Sequence, residues 1–259
     1  MLAQANLWSD IIGVILILVA AFIPVYFFGM NLVTGRLKER FIDKHWHLLE
    51  VLHEPWEEEH PMPIRIWHWI NLCGFVIFFA SGFYIRYPYF SGGREIMRYL
   101  HYVAMYAVVG AFTYRMIFMF TSGDWKNFTY NRKDLPVVIQ VTLYYVGLRS
   151  EYPHIKKYHP IQRGSYIAIY ALLPIQALTG FALIWPTVLL APFAGLFGGV
   201  AHVAAWTRLA HSIIMRIFLV LVATHGPLAI YEGYPAFKHF WFGIETPLPN
   251  VHADGKHGH

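Results

Sequence analysis

The sequence predicts an all-α, polytopic membrane protein. Of the 259 residues, 57% are hydrophobic and only 14% charged, with a mean hydropathy of +0.42. Soluble domains carry about 25% charged residues, so a soluble single-domain enzyme could not coat itself with this composition. The apolar residues also gather into runs close to the ~20 residues that a bilayer crossing needs. Basic loops separate these runs.

The runs are read in chain order. Residues 11–34 and 66–85 hold no Asp, Glu, Lys or Arg, and 99–120 holds one, Arg115. Residues 164–207 form a 44-residue stretch without such charges, too long for one crossing. Pro186, Pro192, Gly195, Gly198 and Gly199 break it, which predicts a helix over 164–185 and then a reentrant or surface loop. The last span covers 208–231. The first run is read as a span and not a signal peptide, because no basic residue precedes Ile11 and the run exceeds the 7–15 residues of a typical signal core. The expected organisation is an N-terminal helix over 1–35, a loop over 36–63, four further spans over 64–232 and a tail over 233–259. The loop is amphiphilic, with a short surface helix or coil expected. The histidine-bearing tail reads as flexible polar chain.

Charge sets the orientation. With the N-terminus outside, fourteen Lys and Arg fall in inside loops and four in outside ones, and Arg115 and Arg216 lie within spans. The N-terminus is therefore expected outside and the C-terminus in the cytoplasm. The net charge of +5 suits basic loops beside lipid and gives no sign of nucleic-acid binding. The single cysteine, Cys73, excludes an intrachain disulfide, an all-cysteine iron–sulfur cluster and a Cys-x-x-Cys-His haem attachment within this chain.

Four of the 15 histidines lie inside spans: His68, His101, His211 and His225. Ionisable groups at that depth are costly and point to function, although any one of them could simply bond a neighbouring helix carbonyl. Their arrangement says more. His211 and His225 are 14 residues apart, within about 40° of a whole number of turns and about 21 Å along the axis. Under the charge-derived orientation, His101 is level with His211 near the outer surface and His68 with His225 near the inner one. Two imidazoles from facing helices suit axial ligation of haem iron, and two axial nitrogens leave no open position for oxygen chemistry. Without an attachment motif, both groups would be haem b. Arg65 and Arg115 near the inner level, and Arg98, Arg208 and Arg216 toward the outer one, are candidate partners for haem propionates. For Arg65, Arg98 and Arg208, snorkelling to the interface is the alternative. Gly74, Gly82, Gly110 and Gly180 could admit a flat macrocycle or serve ordinary helix packing.

The motifs resemble a known family. Arg65-Ile66-Trp67-His68-Trp69-Ile70-Asn71 with Ser81-Gly82-Phe83, then Arg98-Tyr99-Leu100-His101-Tyr102, Thr179-Gly180-Phe181-Ala182-Leu183, and finally the His211/His225 spacing, together resemble the b-type dihaem cytochrome subunit of membrane-bound nickel–iron hydrogenases. The formate dehydrogenase gamma subunit is a relative with the same plan. The resemblance covers residues 64–232. It implies a membrane anchor for an extracytoplasmic catalytic dimer, with electrons passing between the partner's iron–sulfur subunit and membrane quinone, menaquinone or ubiquinone. It also implies that His68, His101, His211 and His225 are the haem ligands. The partner would be a hydrogenase, or else a formate dehydrogenase or another molybdopterin oxidoreductase. A non-haem anchor or transporter is the reading from a different class. Two features depart from the family pattern. The span over 11–34 is extra, and the family's His-Asn-Pro before its third helix is His159-Pro160 here. A quinone slot is expected at the cytoplasmic end, with His159, Gln162, Asn71, Tyr231 and Glu232 as candidates.

Overall fold

The computed structural model describes residues 2–41, 62–150, 160–232 and 241. Among them the fold is all-helical: α1 (Leu2–Val33), α2 (Arg36–Phe41), α3 (Met62–Arg86), α4 (Arg94–Ser122), α5 (Asp134–Tyr145), α6 (Pro160–Ile184), α7 (Pro186–Leu189), α8 (Ala194–Phe197) and α9 (Val200–Glu232). Helices α1, α3, α4, α6 and α9 are each long and apolar enough to cross a membrane. Five spans were expected, and the described residues contain five.

Their ends differ from the sequence reading for local reasons. Helix α1 starts at Leu2 and not near Ile11, since Ser9 and Asp10 find partners on other helices and do not stop it. Helices α3 and α6 start earlier than charge counting suggests, with Pro63 and Pro160 in their first turns, where a missing N–H costs nothing. Helix α9 begins at Val200, eight residues before Arg208, which its long side chain leaves exposed. His202, within the stretch expected as a loop before 208, is therefore helical, its Nδ1 donating to the Gly198 carbonyl at 3.0 Å. The stretch expected as a loop after 185 consists of short helical turns, seated by a small cluster of Leu190, Val203 and Ala204. Helix α5 was not anticipated. Its 12 residues span about 18 Å, short of a ~30 Å hydrocarbon core.

The chain forms two compact units. The first comprises residues 1–23, 66–129 and 163–224. Its core is Val108, Leu173 and Phe218, one from each of α4, α6 and α9, wrapped by Phe75, Phe78 and Phe79 of α3 among others. Gly74 lets α3 approach, because a Cβ there would overlap Val108. Gly123, at φ 78°, ends α4 in the left-handed region. The chain thereby turns so that Asp124 folds back onto Arg115.

The second unit comprises residues 24–65, 130–162 and 225–259. Phe27 meets Tyr145 and Tyr231 edge-on, with centroids 6.0 and 5.2 Å away. The Tyr26 hydroxyl donates to the Val146 carbonyl at 3.0 Å. Arg36 lies 4.1 Å over the Tyr144 ring and donates to the carbonyls of Tyr144 and Arg149. Gly147, at φ 79°, closes α5 in a Schellman turn, with Leu148 N–H on Leu143 O and Gly147 N–H on Tyr144 O. Helices α1, α2 and α5 and the end of α9 are thus locked by aromatic and carbonyl contacts.

Candidate functional site

Within the first unit, α4 and α9 bring His101 and His211 face to face. Their ring centroids are 6.3 Å apart and their planes are inclined by 56°. Each ring is held through Nδ1. The Ser81 hydroxyl donates its proton to the Ile77 carbonyl at 2.5 Å, so its oxygen accepts from His101 Nδ1–H at 2.8 Å. Likewise Thr179 Oγ1 donates to the Ile175 and Gln176 carbonyls and accepts from His211 Nδ1–H at 2.9 Å. A hydroxyl has one proton, and both hydroxyls spend it on their own helix. The result is the Nδ1–H tautomer at both histidines, with the Nε2 lone pairs free to accept. At His211 that lone pair meets the Gln176 amide at 3.3 Å.

This spacing suits a metal between the rings. A metal–imidazole bond of about 2.0–2.1 Å plus a ring radius of about 1.1 Å, doubled, separates two collinear ring centres by about 6.3 Å. The surroundings are cut to a flat ligand. A Cβ on Gly180 would stand 3.3 Å from His211 Cε1, and one on Gly82 would stand 3.8 Å from His101 Cε1. Ser81-Gly82 and Thr179-Gly180 therefore act alike: the hydroxyl orients a histidine, and the following glycine clears the space beside it.

Both histidines line a cavity of about 800 Å³, within the roughly 300–1,000 Å³ of cofactor sites. Its body is apolar, with Phe75, Phe78, Phe79, Met105, Leu173 and Phe218 in the wall. Five arginines also line it (Arg86, Arg94, Arg98, Arg208 and Arg216), and among the described residues no Asp or Glu does. Arg86 pairs with Asp10 at 2.8 Å outside this lining set. Arg216 is 1% exposed and hydrogen-bonds the Ser212 hydroxyl and carbonyl. A flat apolar body carrying anionic groups matches this combination.

The other residues singled out from sequence are placed as follows. His68 stands on α3 in the first unit and His225 on α9 in the second. Arg65 precedes His68 by one turn on α3. Arg115, expected to await a propionate, already has a carboxylate partner, for Asp124 pairs with its Nη2. Its Nε donates to the Tyr170 hydroxyl at 3.2 Å, and the rings of Trp67, Phe118, Phe128 and Tyr170 surround the guanidinium at 5.7–6.0 Å. Only Nη1 remains without a hydrogen bond. Asn71 turns back onto its own helix, donating to the Trp67 carbonyl at 2.7 Å. Tyr231 is fully buried against Phe27. Gln162 lies in the first turn of α6, and Glu232 ends α9. His159 and the histidine-bearing tail lie outside the described residues.

Sequence reasoning missed Ser81 and Thr179 as orienting residues, and it missed α1 as part of the cavity wall, where Asn6 and Ser9 both appear. A signal was present in the sequence. Asn6, Ser9, Asp10 and Gly13 recur every three to four residues at the start of an otherwise apolar helix, and so share one face.

The family model for prokaryotic cytochrome b561 matches residues 59–243. The chain belongs to the prokaryotic cytochrome b561 family. It is a multi-pass membrane cytochrome of an electron-transport family that binds haem b. A relative from Cupriavidus necator, named a probable Ni/Fe-hydrogenase B-type cytochrome subunit, is 25% identical over 202 residues, covering 66% of this chain and 77% of the relative. No solved structure matches the chain. The match takes in the cytochrome b561 core of α3, α4, α6 and α9 and leaves α1 and α2 outside it. Haem b fits the His101–His211 cavity by donor chemistry, ring spacing, glycine clearance and charge.

Proposed function

We propose that this cytochrome binds two haem b groups and conducts electrons between an extracytoplasmic redox partner and the membrane quinone pool. His101 and His211 hold the outer haem, and His68 and His225 the inner one. Arg216 serves the outer propionates. Arg65 and the spare Nη1 of Arg115 serve the inner ones. The observation that carries the reading is the oriented His101–His211 pair inside a cavity with five arginines and, among the described residues, no carboxylate.

Bound by two imidazoles, a haem b supplies a reversible one-electron iron couple with no open coordination position. The chain does the rest. Ser81 and Thr179 fix the imidazoles with Nε2 toward the site, and the phenylalanine wall keeps water out. The cations stabilise propionates in a medium where an unpaired charge is costly. The partner is proposed to be the iron–sulfur subunit of a hydrogenase, which the name of the Cupriavidus relative supports. Quinone is proposed to react beside the haem of His68 and His225, with His159, Gln162, Asn71, Tyr231 and Glu232 as the candidate contacts.

Reduced-minus-oxidised spectra of the purified chain, with a haem count, test this directly. The expected result is two low-spin haem b per chain, falling to one in His211→Ala or His225→Ala. Two haems retained in His211→Ala would overturn the pairing. Mass spectrometry of copurifying subunits identifies the partner, and a molybdopterin enzyme in place of a hydrogenase would overturn that assignment.

A further inference from the structure

Arg216 is the most deeply buried charge among the described residues, and α1 is what holds it in place. The guanidinium occupies the space that a side chain at Gly13 would fill. A Cβ built on Gly13 would overlap Nε and Cζ of Arg216 and come within 2.9 Å of Nη2. One turn earlier, Ser9 Oγ reaches Ser212 Oγ at 3.3 Å, and Ser212 is the residue that Arg216 Nη1 bonds. Asp10 binds Arg86 and Tyr87, which fixes the start of α1 against the end of α3. No ion pair of Arg216 is found among the described residues, whereas Arg86 pairs with Asp10 and Arg115 with Asp124. The Nε of Arg216 is buried without a hydrogen bond. The Tyr87 hydroxyl oxygen interacts with the guanidinium, Asp10 and Arg86 stand near it, and Asp10 is already engaged by Arg86 and Tyr87. A buried, incompletely bonded cation is costly, and an anion in the cavity beside it would offset that cost.

We infer that α1, which lies outside the family match, is a working part of the His101–His211 haem site, and that Gly13 is a positioning residue holding Arg216 toward the anionic edge of that haem. This rests on the haem reading above. Gly13 leaves room for the guanidinium, while Ser212, itself bonded to Ser9, holds its Nη1. A cation held there favours the reduced, less positive state of the haem iron.

Gly13→Ala is the informative variant. Alanine is the better helix former, so α1 itself is not weakened, yet its methyl forces the flexible guanidinium aside. The full chain is purified with its haems, and the midpoint potential of each is measured by spectroscopic titration. Gly13→Ala is expected to lower one potential, that of the haem lost in His211→Ala, by about tenfold in the reduction equilibrium, about 59 mV for one electron. The other potential serves as internal control. Arg216→Gln should lower the same potential. Because Gly13 acts through Arg216, adding Gly13→Ala to Arg216→Gln should cause no further shift. An unchanged potential in Gly13→Ala, or a shift that adds fully to that of Arg216→Gln, would overturn the inference. If His211→Ala kept both haems, the haem reading itself would fail, and that outcome is separate from either.

Discussion

The decisive chemistry sits in pairs of adjacent small residues. Ser81 and Thr179 each give their only proton to a carbonyl of their own helix and so must accept from a histidine. Partners of this kind are worth about 10–100-fold in metal affinity. Ser81→Ala and Thr179→Val should therefore speed loss of one haem to an acceptor protein by that factor, with the second haem unaffected, as followed by absorbance. Arg115 makes a different prediction. Its pair with Asp124 is largely sheltered, with side-chain exposures of 6% and 23%. Asp124→Asn leaves a buried cation and should cost about 3 kcal/mol, read as a lower unfolding temperature in detergent. The four histidines stood out as candidates from sequence because each is an ionisable group in an apolar run, and the structure brings His101 and His211 together. Ser81 and Thr179 were not, since small hydroxyls are ordinary in membrane helices and bond back to their own backbone. Only the distance to a ring on another helix distinguishes them.

Among the elements, existence was legible and boundaries were not. Charge-poor runs marked all five long helices, but a charge or a proline ended a span on paper where the chain continues as helix. Asp10 and Arg208 lie well inside α1 and α9. Pairing with Arg86 accommodates the first and exposure the second. Helix α5 escaped notice because its anchors, Phe27 and Arg36, come from residues about a hundred positions away. Close approach of helices rests on glycines whose role a sequence leaves ambiguous. Gly74 admits Val108, a stiff β-branched side chain in the core of the first unit. Overpacking of this sort costs about 1–3 kcal/mol. Gly74→Ala should thus lower thermal stability even though alanine favours helix. Gly110, where an added methyl would meet nothing within 4 Å, should accept alanine without loss. A thermal-unfolding comparison of the two variants separates packing from propensity.

For the whole molecule, the proposed orientation and the proposed quinone site stand or fall together. In the proposed orientation, with fourteen basic residues inside against four outside, the N-terminus would lie outside and His68 and His225 near the cytoplasm. Quinone reduced at that face takes its protons from the cytoplasm, while oxidation at an extracytoplasmic partner leaves protons outside. Electron flow from partner to quinone then charges the membrane without a proton pump. A quinone-analogue inhibitor checks this arrangement. It should shift the spectrum of the haem lost in His225→Ala and leave the haem lost in His211→Ala unchanged. A quinone ring needs donors to its carbonyls within an apolar slot, and Gln162 and His159 sit at and just before the start of α6. Gln162→Ala and His159→Ala should therefore weaken inhibitor binding, by about tenfold for a lost hydrogen bond near 1.4 kcal/mol. Asn71→Ala should weaken it less, because the Asn71 amide is already committed to the Trp67 carbonyl. A spectral response confined to the haem of His101 and His211 would move the quinone site to the opposite face and remove the vectorial proton argument with it.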